Sequence, residues 1–212
     1  MASGSEPSFL PDHILSNARR DRLTRLWRML WHAIAVVCWP SLMKSGCELP
    51  PRLIMKYWLV QKIFRFNAHV PWPVHFTTRV LRPERIQRGD RSPGYSEGCF
   101  LDGRNGIQIG KNVWIGPRVS IISMNHDPQD YSKYVQGGPV VIGDNCWLAA
   151  NSVILPEVVL GQHTIVAAGA VVNQSFREGN QVLAGVPARI VKRLPPYLAP
   201  AATAELSPTR AS

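Results

Sequence analysis

Cysteine is scarce in this chain of 212 residues, and the four present (Cys38, Cys47, Cys99, Cys146) form no CxxC and no metal-ligand spacing. A disulfide-stapled scaffold and a zinc site are therefore not expected, and free buried thiols in a reducing, cytoplasmic setting are. Long apolar runs are also missing. Met29 to Trp39 is nearly all apolar, but it has eleven residues, contains His32 and ends at Pro40, against the ~20 residues a spanning helix needs. No small-x-small cleavage site follows it, so a secretory signal fits poorly, and Lys44 spoils a lipoprotein match before Cys47. Acidic residues are few: 14 against 24 Lys and Arg, a formal net charge of +10. Between Arg19 and Arg65 ten bases face only Asp21 and Glu48, about +8 for that segment alone. Such a balance suits nucleic acid, an anionic membrane or a phosphate-bearing ligand. No aromatic–basic interleaving or recognised motif supports nucleic acid.

The residues that are present divide the chain. At 45% hydrophobic and 18% charged, the composition is globular, and the length suits one domain with appendages. Residues 1–18 read as a flexible leader rich in Ser, Gly and Pro. Residues 19–70 read as a basic helical extension. Leu23, Leu26, Trp27, Leu30, Trp31, Ile34 and Cys38 recur at helical spacing over 19–39, with Arg22, Arg25 and Arg28 off that stripe. Pro40 ends it, and a second short helix is expected over 52–66. The proline-rich segment around Trp72 reads as an extended entry to the next part of the chain. Residues 195–212 read as a flexible tail.

A repeat fills residues 71–194. Counting in sixes, Ile142, Leu148, Ile154, Leu160, Val166 and Val172 are all aliphatic, which chance would give on the order of 10⁻⁴ of the time. Four residues after each of the first five come Cys146, Ser152, Val158, Thr164 and Ala170, all small or β-branched. The frame extends back through Ile109, Ile115 and Ile121. Period six is neither helix nor long flat strand. It predicts a triangular coil of three short strands per turn, one aliphatic residue per hexapeptide pointing inward and stacking on its equivalents. Asn112, Asn145 and Gly169 suit the left-handed backbone of tight corners. The rhythm breaks between Ile121 and Ile142, where MNHDPQDYSKYVQGG must leave the coil as a loop. The predicted class is an all-β core, a left-handed parallel β-helix of hexapeptide repeats, with an N-terminal helical extension.

The segments IGKNVWIGPRVSIISMNHDP and IGDNCWLAANSVILPEVVLGQHTIVAAGAVV, followed by AGVPARIVKRL, resemble the C-terminal part of maltose, galactoside and related sugar O-acetyltransferases. The resemblance spans roughly residues 98–194. It implies acetyl-CoA as donor, a hydroxyl of a saccharide or similar small acceptor, no metal, and a homotrimer with sites between neighbouring subunits. His126, at the start of the loop beside Asn125 and Asp127, is the candidate general base, since imidazole titrates near neutrality. The resemblance places acceptor contacts at Asp102, Asn125 and Trp147. Asp102 has a second reading, a cap on the turn before Gly103. Coenzyme contacts are implied at Ala150, Ala168 and Asn173, with Arg189 and Lys192 for its phosphates or adenine. Otherwise Arg189, Lys192 and Arg193 are a solvated basic tail. His163 is expected to point outward into solvent. Two alternatives share the fold: a non-catalytic β-helix scaffold, and a γ-type carbonic anhydrase, which needs three His ligands. The Trp-bearing helix is expected either to cap the β-helix or to make a peripheral membrane contact through residues 19–40.

Overall fold

The computed structural model describes residues 51–198, together with six positions between residues 26 and 37. Those six (Leu26, Met29, Leu30, Ala33, Val36, Val37) are helical and exposed. The leader, the rest of the 19–39 helix and the end of the tail lie outside the described residues.

Residues 51–78 close the first coil. Helix α1 (Pro51–Trp58) runs into a π-helical turn (Leu59–Ile63), one residue earlier at its start and three shorter at its end than the 52–66 span where the sequence predicts a short helix. Gln61 explains how that turn is held. Its side chain is wholly buried, and a buried amide must find partners. Its Nε2 donates to the carbonyls of Asn67, Val70 and Trp72 at 3.1–3.4 Å, and its Oε1 accepts the Val74 N–H at 3.0 Å. Val70, Trp72 and Val74 plug the interior, and the Trp72 indole N–H donates to the Pro93 carbonyl at 2.9 Å. The proline-rich entry is thus a lid on the core.

Fourteen short strands come next: β1 (Arg79–Leu81), β2 (Ile86–Gln87), β3 (Phe100–Asp102), β4 (Ile107–Ile109), β5 (Trp114–Ile115), β6 (Ser120–Ile122), β7 (Val140–Ile142), β8 (Trp147–Leu148), β9 (Val153–Ile154), β10 (Val159–Leu160), β11 (Thr164–Val166), β12 (Val171–Val172), β13 (Gln181–Ala184) and β14 (Arg189–Arg193). They form three sheets, β1-β3-β6-β9-β12, β2-β4-β7-β10 and β5-β8-β11-β13-β14, which the chain visits in rotation from β3 to β12. Every pairing between these strands is parallel except β13 with β14. This is the left-handed β-helix that the six-residue period predicts.

Register produces the core. Val80, Leu101, Ile121, Ile154 and Val172 stack in one column, and Ile115, Leu148, Val166 and Leu183 in another. The aliphatic frame from Ile142 to Val172 is buried throughout, as are Cys146, Ser152, Val158, Thr164 and Ala170 at the offset of four. Ile109 and Ile115 are only partly buried and pack against the core from its margin. A fully buried aliphatic side chain contributes about 1.5–3 kcal/mol, so the columns supply the main stabilisation of each coil. Asn112, Asn145 and Gly169 do take positive φ (52°, 58° and 70°), but Arg118, Glu157 and His163 do so as well (55°, 63° and 51°). The coil's geometry imposes the corner, and a side chain there costs about 1–2 kcal/mol.

Candidate active site

The loop between β6 and β7 is a closed hairpin. His126 and Tyr134 form an antiparallel bridge, the Asp127 N–H donates to the Lys133 carbonyl at 3.0 Å, and the Val135 N–H donates to the Asn125 carbonyl at 2.9 Å. At its tip the Asp130 carboxylate accepts from the Ser132 hydroxyl (2.6 Å) and pairs with Lys133 (3.0 Å), which holds its pKa below the usual value. Asn105 ties the hairpin to the coil: its N–H donates to Ser123 Oγ at 2.8 Å and its Nδ2 to the Val135 carbonyl at 3.1 Å.

His126 is exposed on this hairpin, next to the exposed Asn125. Its Nδ1 lies within hydrogen-bond distance of the Tyr131 carbonyl. A carbonyl only accepts, so this contact places the ring proton on Nδ1 and leaves the lone pair on Nε2. The imidazole is therefore oriented as a proton acceptor through Nε2.

A buried ion pair stands behind the hairpin. Asp102, at the end of β3, is fully buried, and Arg104 grips it with both ends of its guanidinium, Nε to Oδ1 at 2.9 Å and Nη2 to Oδ2 at 2.8 Å. The Arg104 backbone N–H also donates to Oδ1, at 3.1 Å. Hydrogen bonding to Asp102 raises the Arg104 pKa further. The guanidinium carbon lies 4.6 Å from the centre of the Tyr134 ring, and that ring lies 4.4 Å from the His126 ring. The four side chains thus form a continuous stack, Asp102–Arg104–Tyr134–His126. In the single chain the Asp102 carboxylate has no exposed surface and Arg104 engages both its oxygens, with the backbone contact of a turn cap. Arg104 and Tyr134 were not foreseen from the sequence.

The other expected residues lie elsewhere on the triangle. Trp147 opens β8 on the third sheet and is about half exposed, in register with Trp114 one coil earlier. Both line a cavity of about 430 Å³ with Asn112, Asn145, His163 and Tyr197. Trp114 was also missed, although NVWIG and NCWLA place the two Trp identically in their repeats. His163 is not a solvated side chain. It sits at a corner, its Nδ1 is 2.9 Å from Asn180 Oδ1, and its ring meets Tyr197 edge-on at 5.0 Å.

Ala150 and Ala168 occupy successive coils at the corner leading back to the first sheet, where the Gly169 N–H donates to the Ala150 carbonyl at 3.0 Å. Asn173 directly follows β12, on the edge from which the His126 hairpin springs farther up. Arg189 and Lys192 are exposed on β14, paired antiparallel with Ala184 and Val182 of β13. They stand on a strand and are solvated in the single chain. A single chain therefore gathers Asp102, Asn125 and His126 in one region, with Trp147 and the alanines on other corners. Among the described residues no group of three or more His, Cys, Asp or Glu is arranged to hold a metal ion.

Residues 139–174 match the family model for the bacterial transferase hexapeptide, in six repeats. The match falls on the coils from β7 to β12. A Saccharomyces cerevisiae protein provisionally named as an acetyltransferase is 39% identical to it over 99 residues, covering 45% of this chain and 49% of the other. Galactoside O-acetyltransferase of Escherichia coli is 33% identical over 92 residues, covering 42% and 44%. Among solved structures, a maltose O-acetyltransferase from Clostridium difficile aligns at a TM-score of 0.47 and 29% identity, covering 56% of this chain and 64% of that one. The chain spans about half the length of the curated relatives it matches.

Proposed function

We propose that the protein transfers an acetyl group from acetyl-CoA to a hydroxyl of a saccharide or similar small acceptor. One observation carries the chemistry: the Tyr131 carbonyl fixes the His126 tautomer so that Nε2 is free to take a proton. In the step, the acceptor O–H gives its proton to Nε2 as its oxygen attacks the thioester carbonyl carbon. The tetrahedral intermediate collapses, the C–S bond breaks, and the imidazolium returns the proton to the departing thiolate. No covalent enzyme intermediate is required. Asn125 flanks the base and can donate to an acceptor oxygen.

The donor is assigned to the corner lined by Ala150 and Ala168, with Asn173, Arg189 and Lys192 as further contacts. Small side chains let a pantetheine arm approach the backbone, and the two cations suit its phosphates. Because His126, Trp147 and the alanine corner lie on different edges of one triangle, the reading is completed by a homotrimer. In a closed ring, one subunit's hairpin faces its neighbour's coils, and each interface then carries both halves of a site. We further place the protein in the cytoplasm, with a peripheral membrane contact through residues 19–40. The exposed helical positions Leu26, Met29, Leu30, Val36 and Val37 support that contact.

The test is thiol release from acetyl-CoA across a panel of sugars, alcohols and amines, with the parent and His126→Ala. Replacement should lower turnover by roughly 10²–10⁴-fold with folding and subunit mass unchanged. Turnover within a few fold of the parent removes His126 as the base, and no thiol release with any acceptor favours the scaffold.

A further inference from the structure

The cap over the first coil has two faces of different character. On the inner face, Tyr57 and Gln61 are buried, and the Tyr57 hydroxyl donates to the Tyr95 carbonyl at 3.0 Å. On the outer side, five large apolar side chains stand in solvent: Leu59, Ile63, Phe64, Phe66 and Phe76, between 43% and 68% exposed. Leu59 and Ile63 are four residues apart on the helical segment. Phe64 and Phe66 flank Arg65, whose φ of 65° makes the sharp turn that ends it. The Phe66 and Phe76 rings meet edge-on at 6.3 Å, joining the two ends of the segment into one patch. Scattered exposed apolar residues are ordinary, but a contiguous group with three Phe is not. The core does not need them, since Val70, Trp72 and Val74 already close it.

Charge identifies the occupant. From residue 49 to residue 83 there is no Asp or Glu, while Arg52, Lys56, Lys62, Arg65, Arg79 and Arg82 are all basic. Lys56, Arg65 and Arg79 are exposed. A partner for this surface must offer dense negative charge immediately above an apolar layer. An anionic bilayer has that profile, with phosphates at headgroup depth and acyl chains beneath. A nucleic acid supplies the charge but no layer for Leu59 and Ile63, and a second copy of the chain brings the same bases into repulsion.

We propose that this outer face of the cap is a docking surface for an anionic membrane. Phe64, Phe66, Phe76, Leu59 and Ile63 enter the headgroup–acyl boundary, and Lys56, Arg65 and Arg79 meet lipid phosphates. The contact is separate from the one placed on residues 19–40, and it does not depend on the acyl-transfer chemistry.

Flotation of the full-length protein tests it, with vesicles of phosphatidylcholine alone and of equal parts phosphatidylcholine and phosphatidylglycerol. The parent should float with the anionic vesicles at low salt, less so at high salt and scarcely with the neutral ones. Phe64→Ser combined with Phe66→Ser should weaken anionic partition by at least about tenfold, with the melting temperature and subunit mass unchanged. Arg65→Glu should weaken it similarly by charge alone, and serves if the double variant folds poorly. Absence of flotation by the parent overturns this surface and the residue 19–40 contact together. Flotation kept by the cap variants but lost in Met29→Ser/Leu30→Ser overturns this surface only. Cap variants that lose thermal stability or change subunit mass while floating like the parent show that the chain itself or a second copy covers the patch, and also overturn it.

Discussion

Replacing Tyr134 by Leu removes the ring between Arg104 and His126 without changing the imidazole proposed as the base. Two contacts go. The guanidinium over the ring, at 4.6 Å, is worth about 0.5–1 kcal/mol at a partly exposed site. The pairing with the imidazole, at 4.4 Å, is worth about 0.5–1.5 kcal/mol. Leu recovers part of this by packing, so the net loss is about 1–1.5 kcal/mol. It falls on the hairpin, which can open without unfolding the coils. A penalty of that size on holding His126 in place is a loss of about tenfold in kcat/KM, since about 1.4 kcal/mol is a factor of ten. Thiol release from acetyl-CoA measures it, beside a thermal melt that should move by no more than about 2 °C. Tyr134→Phe keeps both ring contacts and should retain near-parent activity. A Leu variant within twofold of the parent, or a Phe variant as impaired as Leu, refutes ring positioning. Arg104→Ala should behave differently. It leaves the Asp102 carboxylate buried without its partner and should cost about 3 kcal/mol of stability as well as activity.

Further outcomes are expected. Neutralising Arg189 or Lys192 should raise the KM for acetyl-CoA and make it less salt-sensitive, with the acceptor KM little changed; steady-state kinetics at two ionic strengths checks this. Burial pushes the Cys146 thiol from 9.0 up to about 11. A raised folded-state pKa means the contribution is whole below about pH 9 and is lost between pH 9 and 11, amounting to about 2–3 kcal/mol by linkage. Chemical denaturation across that range should show the decline, and Cys146→Ala should flatten it. Gly143→Ala should destabilise by about 1–3 kcal/mol, because its Cβ would lie 2.7 Å from the Gln162 nitrogen and 3.0 Å from the Leu160 carbonyl oxygen. A melt unchanged from the parent would mean that the neighbouring coil yields.

The coils were legible because each hexapeptide solves the same packing problem. The inward slot admits an aliphatic residue, the offset of four admits something small, and six repetitions make the pattern hard to miss. The glycine following the aliphatic residue has its own cause, shown by Gly143: the next coil's backbone occupies the space a side chain would need. The π-turn at Leu59–Ile63 was not legible, since it depends on one buried Gln61 amide gathering carbonyls from a segment later in the chain. Strand β14 was missed for a simpler reason. All five of its residues are exposed, so it lacks the alternation by which a strand is recognised. It follows β13 back as an antiparallel edge, and that pairing alone makes it a strand.

The site was half legible for a related reason. His126 stands where the repeat stops, and an interruption in a regular pattern shows in sequence. Its support does not. Asp102, Arg104 and Tyr134 belong to three different local structures, and only the hairpin folding back over β3 brings them into one stack. Asp102 illustrates the difference most clearly. An acidic residue one coil before a candidate base suggests a substrate contact, whereas its burial and its pairing with Arg104, which leads outward to the imidazole, show only in the fold. A buried carboxylate gripped at both oxygens is costly to place and costly to unpair. The hairpin's conformation is thereby tied to a part of the coil that cannot shift without breaking that pair. An imidazole presented on an exposed loop would otherwise sample many orientations. Here the rigidity of the β-helix reaches it through one ion pair and one intervening ring.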